Sequence, residues 1–205
     1  MRNPLIITIG REYGSGGREI GELVAKTLGI AYYDKKLITL AAQKSGLSDE
    51  FIANNEQRVR SGFMQNLAAS AVYSSGFFSS QYLPLSESIF ISEAQVIRDI
   101  AAKESAVIVG RCADYILQDK AKCLKVFIHA DMAFRAKRIV EVYGEREQSP
   151  EQRLRDKDKR RAAYHRFYTN MKWGYAQNYH ITLDSGELGI DKCADIIADL
   201  YKSKA

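Results

Sequence analysis

Between residues 10 and 18 the chain reads Gly10-Arg-Glu-Tyr-Gly14-Ser15-Gly16-Gly17-Arg18. Three glycines in the four residues 14–17 are more than a tight turn needs. Glycine adopts positive φ at no steric cost and leaves room for backbone N–H groups to converge on a phosphate. An apolar, β-branched run from Pro4 to Gly10 precedes the loop. Ile20, Leu23, Val24, Thr27 and Leu28 follow it at helical spacing, with Gly29 as the stop. A loop so placed opens onto a helix N-terminus, where the aligned dipoles favour an anion. The chemistry this suggests is polyphosphate binding by Gly14, Ser15, Gly16, Gly17 and Arg18; the alternative is a plain strand-to-helix turn.

The widespread phosphate-loop pattern, Gly-x4-Gly-Lys-Ser/Thr, places a lysine on the outer phosphates and a hydroxyl on Mg²⁺. Here Gly17 stands at the lysine position, followed by Arg18 and Glu19. Arg18 can supply the missing cation from one residue further on, and its planar fork suits phosphate oxygens. Ser15 is the only hydroxyl in the loop. A metal ion would then fall to Ser15, or through water to a carboxylate such as Asp34.

The elements that must position these residues alternate strand with helix. Short buried-strand patterns occur at Ile30–Tyr33, Ala106–Gly110, Cys123–His129 and His180–Asp184. Helical patterns occur from Asp34 to about Lys44, at 112–118, 131–143, 150–168 and 190–202. Such alternation predicts an α/β domain with a parallel sheet covered on both faces. The segment 54–88 breaks the pattern: it is rich in serine, with Phe63, Tyr73, Phe77, Phe78 and Tyr82 interleaved. A helical insertion, a substrate flap and a dimer surface all fit it.

With 205 residues, the chain is long enough for one compact domain spanning 1–205. Its three cysteines form no CxxC, and an odd count argues against a disulfide framework. The N-terminal apolar run is too short for a secretory signal, and no stretch reaches the roughly 20 apolar residues a membrane helix needs. A soluble, cytoplasmic protein is expected. The formal charge of +5 first suggests nucleic acid, but its location says otherwise. Residues 146–172 carry nine Lys/Arg against four Asp/Glu, and the remainder of the chain is neutral. That basic run also holds Tyr164, His165, Phe167 and Tyr168, so a solvated helix and a nucleic-acid surface are its alternative readings.

Taken together, ITIGREYGSGGREIG at 7–21, YYDKKLI at 32–38, VIVGRCADYIL at 107–117, VFIHADMAFRAKRI at 126–139 and the stretch 158–190 resemble the cytidylate kinase-like family, a branch of the P-loop nucleoside monophosphate kinases. The resemblance implies a three-layer P-loop fold with a five-stranded parallel sheet and a helical lid. It implies phosphoryl transfer from ATP, with Mg²⁺, to a nucleoside monophosphate, CMP or dCMP. The basic run 146–172 would be the lid, closing Arg153, Arg160 and Arg161 over the transferring phosphoryl group beside Arg18. The acceptor would be held by Asp34, Lys35, Arg111 and Asp114. Asp34 is equally read as a helix cap, and Asp114 as a solvated helix-start acid. Arg135 and Arg138, three apart on one helical face, belong either to the site or to a solvated basic face. Asp184-Ser185 reads as structural. The chain departs from the family pattern at Gly17, at Leu40 where an acceptor-gripping arginine is usual, and at Cys112 where an acid usually follows the arginine. A nucleotide-binding regulator with little turnover, and a small-molecule kinase with a non-nucleotide acceptor, are the alternative functions. Nucleotides are the expected partners, nucleic acid and membrane are not, and a homodimer fits.

Overall fold

The computed structural model describes residues 4–34, 37, 40, 85–120, 122–144 and 149–204. Lys35, most of the segment 54–88, most of the helix expected after Asp34, and the first turn of the basic run lie outside the described residues. In chain order the elements are β1 (Ile6–Arg11), α1 (Gly17–Leu28), β2 (Ala31–Tyr33), α2 (Leu85–Lys103), β3 (Ala106–Val109), α3 (Ala113–Ile116), β4 (Cys123–His129), α4 (Met132–Glu141), α5 (Pro150–Thr169), a 3₁₀ turn (Ala176–Asn178), β5 (Ile181–Asp184), α6 (Ser185–Leu188) and α7 (Ile190–Lys204). By its contacts the chain divides into two compact units, Met1–Asp34 with Ile97–Ala205, and Lys35–Val96. Of the second unit, the first turns of α2 are the main described part. Everything below concerns the first unit.

The five strands form one parallel sheet in the order β2-β3-β1-β4-β5. Such a sheet must bury both faces, and its strands therefore read as unbroken apolar runs rather than alternating ones. Ile6, Ile7 and Ile9 of β1 are wholly buried, as are Val107 and Ile108 of β3 and Val126 and Ile128 of β4. Ile20 and Val24 of α1 and Cys193, Ala194 and Ile197 of α7 close one face against Ile7 and Ile9. Each such aliphatic side chain contributes about 1.5–3 kcal/mol on burial.

Element ends moved for identifiable reasons. β1 starts at Ile6 because Pro4 has no N–H and the Leu5 N–H donates to Ser105 Oγ at 3.1 Å, and it runs on through Arg11. The helix expected at 112–118 shrinks to Ala113–Ile116, since Cys112 is left-handed at φ 54. The 131–143 helix starts at Met132, capped by Asp131 Oδ1 accepting from Phe134 N at 2.8 Å. α5 stops at Thr169 because Asn170 turns left-handed at φ 55. The three cysteines are buried and free. Among the described residues no helix is long and apolar enough to cross a membrane.

In a sheet of this order, ligands bind beyond the carboxyl ends of the strands, where the connections from β1 diverge. The glycine loop and the turn after β3 both lie at that edge.

Candidate functional site

The loop leaves β1 as Glu12 N donates to Ile128 O at 3.0 Å. Gly14 and Gly16 take φ of 80° and 75°, and Gly16 is the N-cap of α1 with no side-chain cap. The first-turn N–H groups of α1 thus open on the crevice without a side chain to cap them, the arrangement that binds phosphate. Crowding favours glycine at positions 16 and 17: a Cβ on Gly17 would lie 2.6 Å from Arg11 Cβ, and one on Gly16 would collide with Ile190.

Ser15 is fully buried, and its hydroxyl donates to Glu12 O at 2.9 Å with Ile128 O at 3.3 Å. It faces the protein, which corrects the expectation that it holds a metal. Ser185 fastens the same turn, its Oγ donating to Ser15 O at 2.6 Å. Asp184 Oδ1 accepts from Gly186 N at 2.9 Å. Asp184 thus caps the turn into α6 and Ser185 holds the loop from below.

Two arginines of α4, equivalent in sequence, have separate surroundings. Arg135 is 6% exposed, which rules out a solvated basic face. Its Nη1 donates to Asp158 Oδ2 at 2.5 Å and to Tyr13 O at 3.3 Å, and its Nε lies 3.5 Å from Glu12 Oε2. Burial pushes the Glu12 carboxyl above its usual range, against the pull of Arg135 and of the Ala130 N–H. Arg138 instead lies beside Gly16 and pairs with Glu19. Its Nε is buried without a hydrogen-bond partner. Arg135 Nε likewise lacks a hydrogen-bond partner; what sets Arg138 apart is its place beside the glycine loop, the side from which a ligand oxygen would come.

On the β2–β3 side the cations gather around Asp34. Arg18 Nε lies 3.2 Å from Asp34 Oδ2 and 3.3 Å from Glu22 Oε1, and Arg11 Nη2 lies 3.9 Å from Asp34 Oδ1. Arg18 therefore reaches toward the end of β2; to serve a donor phosphate it must first leave Asp34. The Tyr32 hydroxyl is buried beside Arg18, and burial with Asp34 and Glu22 nearby holds the phenol well above its ordinary range, against the pull of Arg18. Among the described residues no three His, Cys, Asp or Glu converge as a metal cage. With Ser15 turned inward and both Asp34 oxygens facing guanidinium groups, the described residues make no magnesium site by themselves.

The turn after β3 carries Gly110, Arg111 and Cys112, all three left-handed, at φ 81°, 60° and 54°. Glycine suits position 110 because of its left-handed φ, and a Cβ there would also displace the Arg11 guanidinium. Non-glycine residues in this conformation cost about 1–2 kcal/mol each, and such strain clusters where a site needs a particular geometry. Burial lowers the pKa of the Arg111 guanidinium, while Tyr164 and Asp34 beside it pull the other way. Arg111, Arg11, Arg18 and Asp34 are thus brought together at one end of the crevice.

Asp114 is not a solvated helix-start acid. It is buried, with Oδ2 3.0 Å from His165 Nε2. The basic helix α5 is docked along its length by such contacts. Asp158 Oδ1 accepts from Tyr13 N at 2.7 Å, Leu154 is wholly buried, and Arg161 Nη1 donates to Arg11 O at 3.1 Å. Arg161 also lies over the Tyr13 ring at 5.1 Å, with Lys157 at 5.6 Å. Arg153, Lys157 and Arg161 are half-buried on one face, while Arg160 is exposed one turn from Tyr164.

A cleft of about 550 Å³ lies beyond the ends of β4 and β5, lined by Glu12, Phe127, His129, Asp131, Trp173 and Asp184 among others. Phe127 meets Trp173 edge-on at 5.3 Å and Tyr179 at 5.0 Å.

The sequence profile of the cytidylate kinase-like family matches residues 6–187. The chain belongs to the cytidylate kinase-like family. Among solved structures, an uncharacterized protein from Eubacterium ventriosum is similar with a TM-score of 0.72 and 29% identity, covering 98% of this chain and 99% of that one. Shikimate kinase from Acinetobacter baumannii, in complex with shikimate, gives a TM-score of 0.54 and 18% identity over 98% and 93% of the two chains. A gluconokinase from Sinorhizobium meliloti gives 0.55 and 14% over 99% and 97%. These two kinases share the fold. No curated protein matches the sequence significantly. Family and fold together make the chain a P-loop, kinase-like phosphotransferase.

Within this family member, sequence reasoning passed over Arg11 and Glu12, although both sit inside the glycine-loop motif. The signal available was their position: residues at the end of the central strand face the crevice by construction. It also left Arg138 undistinguished from Arg135.

Proposed function

We propose that the protein transfers the terminal phosphoryl group of ATP to a small phosphorylated acceptor, with CMP or dCMP as the leading candidates. The observation that carries this reading is the unpartnered Arg138 Nε beside the uncapped N-terminus of α1, a buried donor placed where a donor phosphate would sit. Gly14, Gly16, Gly17 and the first turn of α1 would cradle the triphosphate, with Ser15 shaping the loop from within. The cleft at Phe127, Trp173 and His129 would take the donor base. Arg111, Arg11 and Asp34 would hold the acceptor, and the half-buried Arg153 and Arg161, with the exposed Arg160, would neutralise the phosphoryl oxygens. Catalysis of this kind is positioning and charge stabilisation rather than covalent work by the protein. Magnesium, which would screen the phosphate charges, would be held chiefly by the phosphates themselves.

One observation favours a different acceptor. Asp114, expected among the acceptor-holding residues, is engaged with His165. A non-nucleotide acceptor therefore stands as the second reading. A coupled ADP-release assay with ATP and Mg²⁺ against a panel of nucleoside monophosphates and small polyols decides. Turnover on CMP or dCMP supports the first reading, and turnover confined to a polyol supports the second. ATP binding without turnover on any acceptor points to a regulator.

A further inference from the structure

The opposite edge of the sheet, at the amino ends of β4 and β5, holds a second concave site. It has a volume of about 300 Å³ and is lined by Gln118, Asp119, Lys120, Cys123, Lys125, His180 and Lys204. That lies at the lower end of the about 300–1,000 Å³ typical of small-molecule sites. A strand of seven residues, β4, separates it from the crevice, roughly 20 Å away.

The groups facing it are nearly all donors. Lys120 Nζ is tethered by a 2.6 Å hydrogen bond to Ala101 O, which fixes the ammonium and leaves it two further N–H groups. His180 extends the β4–β5 ladder in an unusual way. Its backbone N–H donates to Lys125 O at 2.8 Å, and its ring Nδ1 accepts from the Lys125 N–H at 3.0 Å. A nitrogen that accepts from a backbone amide carries no proton, so the ring proton must sit on Nε2, which is then a donor. Burial, together with Lys125 and Lys204, holds the imidazole below its ordinary pKa, which keeps this tautomer neutral. Cys123 adds no negative charge, because burial pushes its thiol up to about 11. Among the described lining residues, one carboxylate, Asp119, and the amide of Gln118 stand against the three ammonium groups.

Converging donors with a surplus of positive charge call for a ligand that is an anion and an acceptor. We propose that this cleft binds a phosphoryl group, as inorganic phosphate or a small phosphomonoester, independently of the phosphotransfer site. A tetrahedral dianion offers enough oxygens for Lys120, Lys125, Lys204 and His180 Nε2–H together. The volume leaves room for a short sugar or polyol beside the phosphate.

The test is NMR observation of the His180 ring during titration of the full-length protein. One arm uses inorganic phosphate, one uses ribose 5-phosphate, and a third uses sodium chloride at matched ionic strength. The expected result is a saturable His180 shift with either or both phosphates and none with chloride; the tighter arm names the source. Lys125→Gln and Lys204→Gln, checked for an unchanged thermal melt, should each weaken that binding about tenfold, the loss of one charge-assisted hydrogen bond. The proposal is overturned if neither phosphate moves the His180 ring. It is equally overturned if chloride moves the ring as much, or if both variants bind as tightly as the parent. None of these outcomes depends on turnover at the glycine loop.

Discussion

His165 Nε2 lies 3.0 Å from Asp114 Oδ2, with both side chains buried. On the other side of the ring, Thr169 Oγ1 donates to His165 O at 2.6 Å, so its 3.1 Å contact with Nδ1 requires that nitrogen to carry a proton. The hydrogen bond between Nε2 and Asp114 therefore holds one further proton between ring and carboxyl. It ties α5 to the first turn of α3, three residues after Arg111. Asp114→Asn should lower stability by about 1–3 kcal/mol, measured by urea unfolding, because a buried partner is left mismatched. An unchanged midpoint would show that the pair does not fasten the helix.

Arg138→Lys keeps a positive charge but removes the Nε that is buried without a partner. Nucleotide affinity, read by calorimetry with ATP or ADP, should fall at least about tenfold. Equal affinity in the variant would remove the support that this atom gives to the phosphotransfer reading.

Glycines in this chain separate site from scaffold. Gly17→Ala sets a Cβ 2.6 Å from Arg11 Cβ, both atoms close to the backbone, so the loop or Arg11 must shift. A loss of about 1–3 kcal/mol is expected, together with weaker nucleotide binding. Gly29→Ala meets nothing within 4 Å, and its φ of 64° is the only obstacle. It should destabilise by about 1 kcal/mol and leave nucleotide affinity untouched.

Arg111→Lys should raise the acceptor KM about tenfold or more while leaving the ATP KM nearly constant, since a lysine cannot grip a phosphate bidentately. Arg18→Ala, by contrast, tests whether an arginine resting on Asp34 moves to the donor. A fall in ATP turnover by orders of magnitude is expected if it does, and a silent result would retire it from the catalytic group.

The pH dependence of stability should carry a His180 component. Its folded pKa is lowered from 6.5, so the folded state binds fewer protons than the unfolded chain as pH falls. The stabilisation is fully present above 6.5 and is lost on acidification through the window below it. Urea midpoints compared between about pH 5 and pH 7 should drop less in His180→Gln than in the parent, because glutamine still accepts from the Lys125 N–H but does not titrate in that range.

Legibility in the sequence followed burial. The three inner strands were visible because a doubly covered parallel strand is largely apolar, as Ile6, Ile7 and Ile9 are, whereas the edge strands β2 and β5 are only part-buried and were read from short β-branched and aromatic runs. The family was visible because its motifs lie on those strands and the turns after them. Side-chain direction was not visible. Ser15 and Arg18 are three residues apart at the start of one helix, yet Ser15 points into the protein and Arg18 toward β2. Nor could spacing separate Arg135 from Arg138, since what divides them is Asp158 and Glu12 on one side and Gly16 on the other. Asp114 and His165, 51 residues apart, meet only through the fold.

The fastening of α5 has a mechanical consequence. Asp158 pins it near mid-length to Tyr13 and Arg135, and His165 pins it again seven residues on. These contacts oppose a swing of the whole helix. Leu154, wholly buried, holds the turn ahead of Asp158 as well. Among the described residues of this helix, closing on a bound nucleotide would then fall to the side chains of Arg153, Lys157, Arg160 and Arg161. The basic helix would act as a fixed jaw, with the substrate drawn up against it.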